Sequence, residues 1–505
     1  MVDDGKTSVG SESRLLARMG SISFLGALVS ALMGFLLTFV VARAFGEYGS
    51  GIVLQAVGVF SIALGLTKCG MDSVNIWLMP RLKASDPGSV RGTLIFGLTI
   101  VVVVGAIGGA VLAVIAPLIA GANEPDLVSA LRMLAWFLPF GAVMVTALAS
   151  TRGLGGILPY VLVGSVGVPT LRPILVLVVA AFGGSAVLAV GAWAVPIVLG
   201  MMGALVVLFR QTRDLRYAAD VHSWWPSRSQ RRSIVRFALP RTVSVGLEQS
   251  VLWLDVILVG YLAGTAESGV YGGASRLIAA GFIVDTAIRV VVSPRFSHFL
   301  HQDQLASAQG LYRTAAIWLV LFSSPIYIVL AVFAPTILGW LGPGFVAGAP
   351  ALAILSLGCI VTMSAGNIHS VLLMSGRSGW AAFNKAVVLV LNVGANIVLV
   401  PWMGISGAAL AWTASMLVDA LLASIEVWLL VGLRPEPRAV GYGILVPLIT
   451  VGGSAALLQG FWGRDSLWAL ILTVVAGGLL LLVWCILDRR RLSLDLGRTR
   501  DTVSP

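Results

Sequence analysis

Residues 21–43 read SISFLGALVSALMGFLLTFVVAR, and after the short turn AFGEYG at 44–49 a second apolar run extends from 51 to 77. A helix needs about 20 apolar residues to cross a lipid bilayer, so each run is long enough for one crossing. The first run is also longer than the apolar core of a signal peptide, which has about 7 to 15 residues. The pair predicts a chain that crosses the membrane and returns at once.

The same kind of run recurs along the whole chain. With 58% hydrophobic and 11% charged residues, the sequence has too few polar groups to cover a soluble domain, which carries about 25% charged residues. Fourteen transmembrane helices are predicted, at 21–43, 51–77, 93–120, 127–150, 158–182, 185–209, 237–261, 269–293, 312–336, 346–374, 380–401, 405–431, 438–459 and 466–487. The fold class is therefore all-α integral membrane protein.

The basic residues predict the orientation of these helices. With the amino terminus placed in the cytoplasm, 26 of the 33 Lys and Arg fall in cytoplasmic segments, which is the positive-inside pattern. The expected location is the bacterial plasma membrane, with both termini cytoplasmic. The longest polar loop, 210–236, is rich in arginine and is expected to bind anionic lipid headgroups. This accounts for the net charge of +11 without nucleic acid as a partner.

The basic loop also divides the chain. It separates an N-lobe of six helices (21–209) from a C-lobe of six (237–431), followed by two further helices (438–487), with cytoplasmic tails at 1–20 and 488–505. Gly49 and Gly269 occupy corresponding turns of the two lobes, as do Gly184 and Gly404. Both lobes begin on the same side, so the predicted repeats are parallel and pseudo-symmetric. Chance is the alternative, because glycine is common throughout this sequence.

Several short motifs, in this order and spacing, resemble a known family. They are AFGEYG at 44–49, Leu239-Pro240 with Asp255 further along the same helix, SGVY at 268–271, ASRL at 274–277 and GISGAA at 404–409. Together they are similar to the multidrug/oligosaccharidyl-lipid/polysaccharide exporter superfamily, and within it to the Wzx-like polysaccharide flippases. The two additional helices keep the lipid II flippase branch as a possibility.

The resemblance implies two six-helix lobes around a cleft that opens alternately to each side of the membrane. It implies a flippase that carries a polyprenyl-diphosphate-linked oligosaccharide to the outer leaflet for cell-envelope or exported polysaccharide synthesis. No bond is made or broken in that process, so the expected protein is a transporter and not an enzyme. A glycosyltransferase or a polymerase would be its partner, and neither a cofactor nor a metal site is expected.

Of the ionisable residues inside the predicted helices, nine are singled out as intramembrane charges, because a charge near the bilayer centre costs about 2.5 to 3.5 kcal/mol. They are Lys68, Asp72, Arg172, Glu248, Asp255, Asp285, Arg289, Asp419 and Glu426. Lys68 with Asp72, and Asp285 with Arg289, are four residues apart and can pair on one helix face. These pairs are either structural or part of a site. Glu426 and Asp72 are expected to extend to the nearby headgroups.

Arg172, Glu248 and Asp255 have no opposite charge three or four residues away. Either they face the cleft, or Arg172 bridges the lobes to a carboxylate. The candidates for holding the diphosphate are Arg172, Arg289 and Arg276, whose guanidinium groups bind phosphate oxygens bidentately, and Lys68, whose ammonium is a further positive charge. Glu248 or Asp255 is the candidate for proton or sodium coupling, and the membrane potential is an alternative driving force.

Two other functions fit parts of the pattern. A cation-coupled multidrug exporter of the same superfamily would use the six intramembrane acids to bind organic cations. An integral-membrane polysaccharide polymerase or ligase would need reactive side chains in a large outer loop, whereas the outer loops here are short and the four histidines are scattered. The three cysteines, Cys69, Cys359 and Cys485, form no CxxC motif or disulfide framework.

Overall fold

The first helix, α1 (Asp4–Thr67), contains both of the apolar runs that open the sequence. In this computed structural model the two runs are joined at Gly46, whose φ of 64° and ψ of −164° interrupt the helix. Such backbone angles are essentially restricted to glycine. The apolar part, Gly20–Thr67, has 48 residues and is about 72 Å long, enough for two crossings of a hydrocarbon core about 30 Å thick.

The structure describes residues 4–121, 124–218, 225–463, 466–489 and 491–492. After α1 the helices are α2 (Met71–Ser85), α3 (Gly88–Ala120), α4 (Pro125–Gly153), α5 (Ile157–Ala181), α6 (Ala186–Ala218), α7 (Arg228–Ala263), α8 (Thr265–His301), α9 (Leu305–Val332), α10 (Pro343–Met363), α11 (Ile368–Met374), α12 (Ser378–Met403), α13 (Ile405–Val431), α14 (Pro437–Trp462) and α15 (Leu467–Leu487). A short helix, Ala334–Gly339, follows α9.

Thirteen of the described helices are long and apolar enough to span a membrane. Since α1 bends into two such segments, the described part of the chain has fourteen candidate crossings, and the predicted all-helical membrane architecture is confirmed. By its contacts the chain divides into two compact units, Met1–Gly269 and Val270–Pro505. The predicted division into two pseudo-symmetric lobes, 21–209 and 237–431, stays a prediction.

In the first unit, glycines let α1 approach α7 and the start of α8 closely. Gly51, Gly58 and Gly65 recur every seven residues and so form one stripe along the second half of α1. A Cβ atom on Gly51 would overlap the Thr265 carbonyl oxygen, and one on Gly58 would lie 3.0 Å from the Trp253 ring. This small-residue packing is typical of helix pairs in membranes.

The second unit is packed around α9, and α14 and α15 belong to it. A Cβ on Gly281 of α8 would overlap the Tyr327 ring of α9. Ile317 and Leu321 of α9 form a buried cluster with Val446 of α14 and with Leu492, which follows α15. The Trp318 indole also donates a hydrogen bond to the Leu492 carbonyl at 3.3 Å, so residues after α15 fold back onto this unit.

The predicted basic loop at 210–236 is mostly helical instead. Helix α6 continues to Ala218, and α7 begins at Arg228 behind a capping box formed by Ser227 and Gln230. The segment 219–224 lies outside the described residues, as does most of the expected tail, 493–505. Arginine and the other straight-chain residues of these ends are good helix formers, which explains the extension of both helices beyond their apolar runs.

Candidate functional site

A break between α1 and α2 places charged groups beside α7. Lys68, predicted to lie inside a helix, is instead in this break, where Cys69 and Gly70 have positive φ angles of 49° and 62°. A Cβ on Gly70 would lie 2.7 Å from the Ala238 carbonyl oxygen of α7, so only glycine permits this approach. Irregular backbone in a membrane-spanning region is tolerated where it is buried in protein or lines a water-filled cavity.

Four charged side chains surround this break and are here called the α2–α7 charge cluster: Lys68, Asp72, Arg241 and Glu248. The Lys68 ammonium lies 2.6 Å from Asp72 Oδ2, and the Arg241 guanidinium lies 3.3 Å from Glu248 Oε1. Arg241 Nε also donates to Ser73 Oγ at 3.1 Å, which ties the two pairs together. The Lys68–Asp72 pair confirms the four-residue spacing argument. Arg241 was missed, because it was assigned to a cytoplasmic helix end.

The two pairs differ in exposure. The Lys68 and Asp72 side chains are 14% and 17% exposed, whereas those of Arg241 and Glu248 are 41% and 47% exposed. At a rise of about 1.5 Å per residue, Lys68 lies about 33 Å along α1 from the bend at Gly46. Arg241 lies equally far along α7 from Ala263. The cluster is therefore near the predicted cytoplasmic boundary of the hydrocarbon core, and not at its centre.

Arg172 of α5 lies closer to the other end of the first unit. Its guanidinium carbon is 3.9 Å from the centroid of the Trp193 ring on α6, and its Nε is buried without a hydrogen-bond partner. No ion pair to Arg172 occurs within the part of the chain that the structure describes. Cation–π stacking offsets some of the desolvation of the guanidinium, but leaves hydrogen-bond donors available for an anionic ligand.

Both candidates for ion coupling, Glu248 and Asp255, lie on α7, and a common role would place them on one face of this helix. Their spacing of seven residues fits that arrangement, but their surroundings differ. Asp255 is only 5% exposed, whereas the Glu248 side chain is almost half exposed and bonded to Arg241. The two candidates for ion coupling are therefore not equivalent, and Glu248 is the more accessible.

In the second unit, α8 carries two of the predicted site residues, Arg276 and Arg289, together with Asp285. Arg289 and Asp285 form the expected pair between its successive turns, with the Arg289 side chain 56% exposed and Asp285 12% exposed. Arg276 lies nearer the start of the same helix, with its Nε buried. Arg289 is thus more accessible than Arg276.

A second group of charges surrounds Asp419, whose partners Lys385 and His369 were missed by the sequence prediction. Asp419 of α13 accepts from Lys385 Nζ at 2.6 Å and lies 3.2 Å from His369 Nε2, and its side chain is only 5% exposed. We call these three residues the Asp419 cluster. Nearby, Glu426 is buried and accepts from Asn384 Nδ2 at 2.8 Å. The expectation that Glu426 extends to the headgroups is wrong, because its carboxylate is bonded to the Asn384 amide inside the second unit.

These contacts resolve the apparent excess of acids inside the membrane. Four of the six intramembrane carboxylates form ion pairs with Lys or Arg, and Glu426 bonds to an amide. Paired carboxylates are poor sites for an organic cation, because the resident cation must first be displaced. Guanidinium groups that are partly exposed or lack an ion pair can still receive phosphate oxygens. The arrangement therefore favours an anionic ligand.

Two curated relatives match part of this chain by sequence. A probable low-salt glycan biosynthesis flippase of Haloferax volcanii is 24% identical over 255 residues, which cover 47% of this chain and 52% of that protein. A probable flippase of the same organism is 24% identical over 230 residues, 45% of this chain and 48% of that protein. The chain spans about half the length of the curated relatives it matches.

Solved structures share the fold over much more of the chain. An inward closed lipid II flippase, MurJ, matches with a TM-score of 0.70 at 14% identity, covering 92% of this chain and 98% of that one. An inward-facing multidrug resistance transporter of the MATE family matches with a TM-score of 0.62 at 15% identity, covering 78% and 93%. These likenesses confirm the predicted all-helical membrane fold.

The family follows from the sequence itself. The model of a family described as polysaccharide biosynthesis protein matches residues 16–300, which is more than half of the chain and includes both the α2–α7 charge cluster and Arg172. The chain therefore belongs to this polysaccharide biosynthesis family.

Proposed function

We propose that this protein is a flippase that moves a polyprenyl-diphosphate-linked oligosaccharide from the cytoplasmic to the outer leaflet by alternating access. Membership of a polysaccharide biosynthesis family supports this proposal. So do the flippase names of two relatives and the fold shared with a lipid II flippase. The protein would act as a transporter and not as an enzyme, with a lipid-linked glycan as its substrate.

The observation that carries the proposal is the charge pairing inside the helices. Four intramembrane acids are already neutralised by a cation, whereas the guanidinium of Arg172 has a tryptophan ring as its neighbour and a buried Nε without a partner. A diphosphate supplies the acceptor oxygens that this group lacks. An exporter of organic cations would need the opposite arrangement, with acids that lack cations.

Within this proposal Arg172, Arg289, Lys68 and Arg276 remain the residues that would hold the diphosphate, and Arg241 joins them. A phosphate group would have to replace the carboxylate that is already paired with Lys68, Arg241 or Arg289. Arg172 would need no such exchange. We therefore expect it to contribute most to substrate binding.

The test is transport of a fluorescent polyprenyl-diphosphate sugar by the full chain in proteoliposomes, scored as movement between leaflets. Replacing Arg172→Ala removes charge-assisted hydrogen bonds of about 1.5 to 3 kcal/mol, so the transport rate should fall roughly 10- to 100-fold. Arg81→Ala is the matched control, since Arg81 is an exposed arginine that also stacks on a tryptophan, 4.5 Å from the Trp77 ring centroid. Unchanged transport by the Arg172 variant, or transport of organic cations alone, would contradict the proposal.

We further propose that both termini face the cytoplasm of a bacterial plasma membrane, as the positive-inside pattern predicts, and that a glycosyltransferase or polymerase acts with this protein.

Proton or sodium coupling through Glu248 or Asp255 belongs to the same proposal. Glu248 is half exposed and its partner Arg241 also holds Ser73. Protonation of Glu248 would therefore change the contacts of Arg241 with both α2 and α7.

A further inference from the structure

Two adjoining cavities in the second unit lie outside the set of residues proposed to hold the glycan. One of about 300 Å³ is mostly apolar, with Val361, Leu417, Leu421, Val440 and Ile444 in its wall. The other, of about 530 Å³, is lined by Arg313, Arg438, Arg491 and Tyr442. The two cavities share Arg313 and the segment Pro435–Pro437, so they form one site, here called the Arg313 pocket.

The polar half of this pocket has more positive than negative charge. Its acid, Glu436, is already neutralised by Arg313 at 3.3 Å and accepts a further hydrogen bond from Gln309 at 3.1 Å. Arg438 is exposed and makes no ion pair among the described residues, and Arg491 lies over the Tyr442 ring. Two guanidinium groups therefore remain for an external anion.

Two residues that line the pocket, Arg491 and Tyr442, are fixed by contacts that belong to the fold. Leu492 is buried against α9 and its carbonyl accepts from the Trp318 indole, which fixes the turn that carries Arg491. The Tyr442 hydroxyl donates to Asp488 and accepts from Trp484 Nε1 at 3.1 Å. Because Asp488 accepts this hydrogen bond, its carboxylate points toward Tyr442.

The position along the helices matches the headgroup layer. Arg438 is in the first turn of α14 and Arg491 follows the end of α15, at the side that the positive-inside pattern assigns to the cytoplasm. The apolar half extends toward the hydrocarbon along α13 and α14. Basic pockets between helices on the cytoplasmic side are suited to anionic lipid headgroups, and guanidinium groups bind phosphate oxygens bidentately.

We propose that the Arg313 pocket binds an anionic glycerophospholipid of the cytoplasmic leaflet. The phosphate lies between Arg438 and Arg491, and an acyl chain enters the apolar half beside Leu421 and Val440. This site differs from the basic segment at 210–236 in having a cavity for the chain as well as a surface for the charge. The proposal does not depend on the glycan substrate.

The experiment titrates the detergent-purified full chain with phosphatidylglycerol or phosphatidylcholine of the same acyl chains and counts retained lipids by native mass spectrometry. We expect phosphatidylglycerol to be preferred, and its half-saturating concentration to rise about tenfold in the R438A/R491A variant, since two charge-assisted contacts are lost. The R81A/R152A variant is the matched control, because both arginines are exposed and stack on rings outside the pocket. It should bind like the unsubstituted protein.

A second variant tests the apolar half without touching a charge. Ala420→Leu adds three carbons inside the cavity wall and should weaken retention of long-chain but not short-chain phosphatidylglycerol. Equal retention of phosphatidylglycerol and phosphatidylcholine, or equal binding by R438A/R491A, would overturn the proposal. So would displacement of the lipid by inorganic phosphate or by a polyprenyl phosphate at lower concentration, because each outcome assigns the pocket to a different anion.

Discussion

Glu248 in the first unit and Asp419 in the second both bond to a cation, but in opposite surroundings. The Glu248 pair with Arg241 has a separation of 3.3 Å, and its two side chains are 47% and 41% exposed. Asp419 is 5% exposed and bonds to Lys385 at 2.6 Å, with His369 at 3.2 Å. The Glu248 pair is thus accessible, whereas the Asp419 pair is enclosed.

This difference decides what each pair can do. An exposed ion pair contributes about 0 to 1 kcal/mol to stability, so it can open without loss of the fold. Removing one partner of a buried pair costs about 3 to 5 kcal/mol, because the other charge is left desolvated. The Arg241–Glu248 pair is therefore suited to exchange partners during transport, and the Asp419 cluster to hold α12 and α13 together.

The largest expected effect is from Asp419→Ala, which leaves Lys385 without its carboxylate. The loss of unfolding free energy should be about 3 kcal/mol, the lower end for a buried pair, because the Lys385 side chain is 28% exposed. Thermal unfolding in detergent, followed by tryptophan fluorescence, measures it. The double variant Asp419→Ala with Lys385→Met should recover much of the loss. An unchanged unfolding temperature in the single variant would place Asp419 among the exchangeable pairs.

A second prediction concerns the stability of the first unit, which we expect to depend on close helix packing more than on its ion pairs. In Gly51→Ala the new Cβ meets the Thr265 backbone carbonyl, which cannot move aside as a side chain can. Overpacking of this kind costs about 1 to 3 kcal/mol. Gly34→Ala is the control, since nothing lies within 4 Å of a Cβ at that position of α1. Equal unfolding temperatures for the two variants would show that α1 and α8 can separate without cost.

Much of this architecture could be predicted from the sequence, because membrane helices are specified by local composition. The apolar runs gave the crossings, and the turn at 44–49 gave the bend of α1, where Gly46 has a positive φ. The pairs Lys68–Asp72 and Asp285–Arg289 were predictable because residues four apart meet on one helix face. Helix ends were less predictable, since α6 and α7 extend into the basic segment beyond the apolar residues.

The remaining contacts required the tertiary structure. Lys385 and Asp419 lie on different helices, 34 residues apart, and no local spacing relates them. Arg241 reaches Glu248 across two turns, which the rule for neighbouring turns does not include. The observed neighbour of Arg172 is the Trp193 ring, so a search for opposite charges could not identify it. Where an intramembrane charge pairs between helices, the sequence predicts the need for a partner but not which residue meets it.

The smallest effect on stability, and the sharpest functional test, is expected from Glu248→Gln. The substitution keeps the shape of the side chain and removes its charge, and the half-exposed Arg241 can be solvated, so the unfolding free energy should change by less than about 1 kcal/mol. If Glu248 couples transport to an ion gradient, the dependence of lipid-linked glycan movement on pH or sodium should be lost while the protein stays folded.

Glu267→Gln is the control, an exposed carboxylate of α8 with no ion pair among the described residues. Retained ion dependence in the Glu248 variant would remove this residue from coupling, and a large loss of stability would show that the Arg241 pair is as structural as the Asp419 cluster.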